Sequence, residues 1–408
     1  YTQAHVPRRQ MLELASRAAQ DFEGFYEARN ATPDVEVATK VLESKEEGVN
    51  AETPSPLLVL TTDGKGVVMR QDSLRKATKR AAASKRHKLE KRLSRGEKKN
   101  RKRMAQVASV YEIKPWVRSA LDVMGELSGT GEKPLEKRPR PQNKRVWASV
   151  ERSARRVVEE LFAEGLRRDP NRHRQWVVLV DGGQTQLSDV NKQAKLHGVV
   201  PVVVLDVIHV TEYLWKSAWA FFALGDPHAQ EFVDARLKRL LQGESSQVAK
   251  GIRRMATMRK LTKGARVPVD KCANYLLKYR AYLHYDEYLA KGLPIATGVI
   301  EGACRHLIKD RMDVTGARWG LTGAEAILKL RSLRSSGDFE AYWTYHEAQE
   351  LARNHRSRYA LPSGQLPTPL QPVAVKRPLY LTESKHLEEP LEALSTMPEI
   401  RVNPVNSA

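Results

Sequence analysis

Apolar positions along the chain change period several times, and each change marks an element. From Arg8 to about Ala31, Met11, Leu12, Leu14, Ala15, Ala18, Ala19, Phe22 and Phe25 recur at helical spacing and predict a helical preamble. Thr32-Pro33 and an acidic, polar stretch up to Pro56 then predict a linker. The run "PLLVLTTDGKGVVMR", Pro56 to Arg70, predicts two short strands, Leu57 to Thr62 and Gly66 to Met69. They would be joined at Asp63-Gly64, because both residues tolerate positive φ. Met104 to Ile113, "MAQVASVYEI", predicts a third strand from its β-branched content. Pro115 interrupts the pattern, and Gly129 to Pro141 predicts a loop. Val146, Val150, Ala154, Val157, Val158, Leu161 and Phe162 then keep one helical face, so a helix is expected from near Asn143 to just before Asp169-Pro170.

Two nearly continuous apolar runs follow, "WVVLV" at Trp176 to Val180 and "VVPVVVLD" at Val199 to Asp206, the pattern of strands buried on both faces. Between them "SDVNKQAKLHG" predicts a short helix, so strand, helix and strand form a parallel crossover. Beyond Asp206 the chain is expected to be mostly helical up to about His346. From Tyr359 to Ala408, frequent Pro and weak periodicity predict a disordered or weakly attached tail. The fold class is α/β with a mixed sheet flanked by helices, in an order that resembles an RNase H-like fold.

Charge narrows the partners. The formal net charge of +21 over 408 residues calls for a polyanion. No apolar run approaches the ~18 residues of a membrane span, and the start has no signal-peptide pattern, so a membrane partner is not expected. Cys272 and Cys304 alone cannot build a disulfide framework or a four-cysteine zinc site, which fits a reducing cytoplasm. Nucleic acid is the expected partner. Between Arg75 and Arg103 stand fifteen Lys and Arg, a sequence-independent hold on a phosphate backbone or else a solvated arm. Arg75, Lys76, Lys79, Arg80, Lys85 and Arg86 open that run. A second basic face is expected from Lys250 to Val267.

Three carboxylates stand out by position. Asp63 ends the first predicted strand, Asp181 ends "QWVVLVDGG", and Glu301 lies in "ATGVIEGACRHLIKDRM". Ligands of open α/β sheets gather beyond the carboxyl ends of strands, so Asp63 and Asp181 would be neighbours, with a returning helix supplying Glu301. Such a cluster suits hard cations, and a two-metal arrangement serves phosphodiester chemistry. The plainer alternatives are a turn at Asp181-Gly182-Gly183 and a surface Glu301–Arg305 ion pair. Glu301, Arg305 and Lys309 follow at steps of four, a carboxylate with two cations beyond it, while Cys304 is expected in the core. Asp206 and His209 close the second buried strand as accessory groups, Asp206 competing with Asp181 for the second position. Trp319, in the Gly-rich "TGARWG" beside Arg318, is a candidate for stacking on an unpaired base, whereas Trp215 and Trp219 share a helix face and are expected in the core.

The blocks "LTTDGKGVVMR", "VVLVDGG", "VVVLDVIHVTEYLW" and "ATGVIEGACRHLIKDRMDVTGARWGLTGAEAILKLRSL" resemble the catalytic blocks of DDE transposases of bacterial insertion sequences, in the Kra-type group. The resemblance runs from about Leu57 to Arg353. It implies an RNase H-like catalytic domain over 54–353, with a basic insertion at about 71–103 and a helical insertion at about 211–297. The N-terminal segment 1–53 precedes it and a tail from 354 follows. The resemblance implies Asp63, Asp181 and Glu301 as a metal-binding triad for two Mg²⁺, with Mn²⁺ able to substitute. Asp206 and His209 take the place of the Asp/Cys-x-x-His pair of related transposases. The implied activity is metal-dependent cleavage and strand transfer on transposon-end and target DNA, by a homodimer or larger complex in a bacterial cytoplasm, on the nucleoid. The alternatives are a structure-selective nuclease of the same fold and a non-catalytic DNA-binding protein derived from a transposase.

Overall fold

The first strand does not turn at Asp63. In the computed structural model Leu57–Val68 forms one continuous strand, β1, paired antiparallel over its twelve residues with Lys102–Ile113, β2. The expected hairpin is therefore replaced by a long ribbon in which Asp63 faces Val107 and Gly64 faces Gln106. Crowding across the ribbon explains the two glycines. A Cβ on Gly64 would lie 3.0 Å from Met104 Cε, and one on Gly66 only 2.8 Å from Lys102 Cδ. Glycine here admits a neighbouring side chain rather than a reversal of the chain.

The described residues are 7–31, 56–84, 101–128, 138–314 and 316–356. The linker expected up to Pro56, Lys85 and Arg86, most of the 129–141 loop and the tail from Tyr359 lie outside them. Two units divide the chain, Tyr1–Ala352 and Arg353–Ala408, and of the second only residues 353–356 are described.

A second departure concerns the helix expected from Asn143. Gln142–Ser149 is a strand, β3, antiparallel to β2, and the helix begins only at Ala154. In β3, Val146 and Ala148 join one apolar cluster while Trp147 joins another. Burial on both faces hides the two-residue alternation that would have marked a strand. Ser153 starts the helix by accepting a hydrogen bond from Arg156 N at 3.2 Å.

Helices α1 (Arg8–Ala18) and α2 (Phe22–Ala31) precede β1, α3 (Lys76–Ala83) and α4 (Ala120–Ser128) flank β2, and α5 (Ala154–Arg168) follows β3. Trp176–Val180, β4, and Val202–Leu205, β5, then add parallel strands, joined through α6 (Gln184–His197). The sheet order is β3-β2-β1-β4-β5, antiparallel from β3 to β1 and parallel from β1 to β5. Val157, Val158, Leu161 and Phe162 of α5 close one apolar cluster over β1 and β4.

Beyond β5 the chain is helical as expected, through α7 (Val207–Ala218), α8 (Pro227–Leu241), α9 (Ser245–Met258), α10 (Lys263–Lys278) and α11 (Tyr285–Ala290). It returns to the sheet as α12 (Gly298–Ala303), a π-helical stretch Cys304–Lys309, α13 (Leu321–Ser336) and α14 (Phe339–Leu351). Ile300, Leu307, Ile308 and Leu328 build the second cluster with Val107 and Val146. A third unites the N-terminal Phe22, Phe25 and Tyr26 with Leu333 and Tyr342, so the preamble packs within the same unit as the sheet. No helix among the described residues is long and apolar enough to cross a membrane.

Candidate active site

Register brings the acidic residues together. Parallel pairing sets Thr61 of β1 opposite Leu179 of β4, and two residues further along stand Asp63 and Asp181. In the next pair Val180 opposes Leu205, and one residue further stand Asp181 and Asp206. Three aspartates therefore sit at one level of three adjacent strands, ~4.8 Å apart from strand to strand. All three line one pocket. From α12, Ile300 and Ala303 enter the core while Glu301 stays exposed, and Glu301 shares one pocket of about 360 Å³ with all three aspartates.

The four carboxyl groups are not equivalent. Asp206 is only 2 % exposed and its oxygens are engaged. Oδ1 accepts from Ile208 N at 3.0 Å, which caps α7, and from Thr297 N at 3.3 Å, while Oδ2 accepts from the Thr297 hydroxyl at 2.5 Å. Asp206 thus ties the end of β5 to the residue preceding α12. Between the two competitors for the second position, Asp206 is held by structural bonds and Asp181 is the freer group.

Asp63 Oδ1 accepts from Gly64 N at 2.5 Å, and Oδ2 accepts from the Cys304 thiol at 3.2 Å. Burial and the negative charge of Asp63 keep that thiol protonated, well above its ordinary range. Cys304 is buried as expected, yet it also touches a carboxylate, a role its apolar neighbours in sequence concealed.

Asp181 carries the largest electrostatic strain. Burial, then the charges of Asp63 and Asp206, a hydrogen bond with Asp63 and the charge of Glu301 push its carboxyl up to about 7. Glu301 is also raised, by burial and then by Asp206, Asp63 and Glu212. Behind Asp181, Gly182 has φ +88°, and a Cβ there would lie 3.1 Å from Leu205 and 3.2 Å from the Tyr275 hydroxyl. That hydroxyl donates to the Asp181 carbonyl at 3.2 Å. Asp181-Gly182-Gly183 is a tight turn that also presents a strained carboxylate, so the plain and the chemical accounts of it coexist. His209 lines the pocket, half-buried against Tyr213 and Tyr275, which stack at 4.1 Å.

Cations rim the pocket. Lys65, Arg305 and Lys309 line it and all three are exposed. Arg305 lies 3.8 Å from Asp310, so the ion pair recorded for it is not the one expected with Glu301. The π-helical turn from Cys304 to Lys309 replaces the regular helix expected there; Arg331 Nε donates to its His306 carbonyl at 3.0 Å. Of the remaining DNA-binding candidates, Arg75, Lys76, Lys79 and Arg80 are exposed at α3, and Arg318 is exposed beside Trp319.

Trp319 itself is not displayed for stacking. Its backbone bridges to β1, donating to Val68 O at 3.0 Å and accepting from Arg70 N at 2.8 Å, and its indole donates to Met312 O at 3.2 Å. The half-buried ring packs on the second cluster. Of the two tryptophans expected in the core, Trp215 packs half-buried against the first cluster, whereas Trp219, at the end of α7, is 42 % exposed and stacks on Trp215 at 5.3 Å.

The donor set is rich in carboxylate oxygen, with one acid, Asp181, pushed up by burial and by neighbouring negative charge, and this suits a hard divalent cation. Among the described residues no three Asp, Glu, His or Cys side chains are drawn together as a ready-made metal-ligand set. A cation at Asp63 would have to displace the Cys304 thiol from Oδ2. Thr297, Glu212 and Lys65 were not singled out in the sequence; Lys65 alone had a local signal, two residues beyond Asp63 on the same strand face. No protein-family model, curated protein or solved structure matches this chain.

Proposed function

We propose that the protein is a transposase of the DDE type, binding transposon-end DNA and catalysing metal-dependent phosphodiester cleavage and strand transfer. The observation that carries the proposal is the level row of Asp63, Asp181 and Asp206 facing Glu301 in one pocket with a cationic rim. An antiparallel meander extended by two parallel strands, with helices on the sheet, supports an RNase H-like reading of the fold.

Asp63, Asp181 and Glu301 would hold Mg²⁺ or Mn²⁺, since Asp206 is committed to Thr297 and the cap of α7. When bound, the ions supply charge stabilisation to the attacking and leaving oxygens of an in-line phosphoryl displacement. Lys65, Arg305 and Lys309 orient the phosphodiester at the pocket mouth through its non-bridging oxygens. Asp206 keeps α12, and with it Glu301, in place against β5. Water attacks in the cleavage step and a DNA 3′-hydroxyl in strand transfer.

The test is cleavage of DNA spanning the sequences on either side of the gene, with Mg²⁺ or Mn²⁺ present. Asp63→Asn, Asp181→Asn and Glu301→Gln are each expected to lower the rate by on the order of 100-fold or more, while leaving binding in chelator intact. Full cleavage by all three variants would sink the assignment.

A further inference from the structure

A second groove, of about 540 Å³, runs along α6. Gln184, Ser188, Asn191, Lys192 and Lys195 recur at steps of one, three and four residues and form one stripe on that helix. Facing them are Lys278, at the end of α10, and Tyr279 and Tyr282 just beyond it. Among the described residues no carboxylate lines the groove. Lys192, Lys195 and Lys278 are exposed, and Lys278 Nζ lies 5.0 Å from the Tyr279 ring centre. Three ammonium groups facing one concave surface without a lining acid concentrate positive potential there.

Both walls of the groove are tied to residues of the candidate site. Gln184 follows Asp181 by three residues, and Gln186 on the same helix donates to Thr62 O, next to Asp63, at 2.8 Å. From the other wall, Tyr279 meets the Tyr275 ring at 4.9 Å, and Tyr275 donates to the Asp181 carbonyl. From Gln184 to Lys195 the helix rises ~16 Å at 1.5 Å per residue, roughly five steps of a DNA strand at 3.4 Å each.

We propose that this groove binds the phosphate backbone of DNA flanking the reacting phosphodiester, with Lys192, Lys195 and Lys278 contacting phosphates and Gln184, Ser188 and Asn191 adding neutral hydrogen bonds. The assignment rests on the proposed function for the choice of DNA as the anion. It places a strand on the β4–α6 side of the pocket, away from the basic residues of α3. Because backbone contacts carry no sequence information, the groove serves any sequence.

The test uses the full chain and a random-sequence duplex, in chelator so that no cleavage occurs, with affinity measured across a salt series. Each phosphate contact contributes about 0.9 to the slope of log affinity against log salt. The combined Lys192→Ala, Lys195→Ala and Lys278→Ala protein is expected to lose roughly 2–3 from that slope. A charge-matched control, Lys238→Ala with Lys271→Ala and Lys291→Ala, is expected to keep it. In the unaltered protein, DNA is expected to shield the three groove lysines from acylation as read by mass spectrometry. A groove variant with the control's slope, lysines acylated equally with and without DNA, or no DNA binding by the unaltered protein would each overturn the proposal. If the carboxylate variants keep cleaving while the groove variant loses slope, the catalytic reading fails and the groove stands.

Discussion

Asp181 shows at a single residue how a site can oppose the stability of its own fold. Its folded pKa of about 7 lies above the ordinary 3.8, so between those values the folded protein holds a proton that the unfolded chain has released. Stability therefore falls as pH rises through this window, and the cost is complete above about 7. Asp181→Asn should raise the melting temperature of metal-free protein by several degrees at pH 8 and by less at pH 5. After allowance for solvent screening in an open pocket the gain is roughly 1–2 kcal/mol. Thermal melts at the two pH values check the sign. Added Mg²⁺ at pH 8 should raise the melting temperature of the unaltered protein more than that of the variant.

The neighbouring Asp206 supports the fold through its hydrogen bonds. Thr297→Val leaves one of its buried oxygens without the hydroxyl donor, at a cost of about 1–3 kcal/mol. It should also slow cleavage, since Thr297 immediately precedes α12 and accepts the Glu301 backbone hydrogen bond. Denaturation midpoints and single-turnover cleavage rates measured on the same preparation would separate the two effects. A variant that lost stability and kept its full rate would show that Asp206 does not position Glu301.

Among the elements, the loop carrying Trp319 behaves as a clasp on the end of β1. Trp319→Ala should destabilise the protein by roughly 3 kcal/mol and leave the salt slope of DNA binding in chelator unchanged, whereas a stacking role would weaken binding to single strands. Denaturant titration and binding to an oligonucleotide decide between them. Trp319 was visible in the sequence as an aromatic in a Gly-rich loop, but its partners Val68 and Arg70 lie about 250 residues earlier. No local pattern reports such a pairing. For the same reason the sequence divides β1 at Asp63-Gly64: the pair carries the local signature of a turn, and only Met104 on β2 reveals why Gly64 stands there, as Lys102 does for Gly66. The strand β3 was hidden because Val146, Trp147 and Ala148 are all buried, which erases the alternation. By contrast β4, β5, α6 and the helices after Asp206 were legible, since continuous apolar runs and helical stripes are local properties. Strand-end logic singles out Asp181, and also Asp63, although β1 runs on past Asp63 to Val68. Their equal level with Asp206 depends on parallel register, which a single chain segment cannot express.

For the whole molecule, a net charge of +21 makes DNA affinity a function of salt before it is a function of sequence. If six to ten phosphates are contacted, affinity for random duplex should fall by about 10³–10⁵ between 50 and 200 mM salt, which a titration in chelator reads directly. A flat response would show that the exposed cations at α3, the pocket rim and α6 do not meet DNA. The pocket itself is assembled from distant parts of the chain, Asp63, Asp181, Asp206 and Glu301. A ribosome releases these residues in that order, with the helices of 207–290 emerging between Asp206 and Glu301. Under the proposed function, a nascent or prematurely terminated chain can display cationic helices such as α3 and α6 before it has Glu301. Such a fragment could occupy DNA ends without cutting them, so incomplete synthesis would yield a competitor of the finished enzyme rather than an unregulated nuclease.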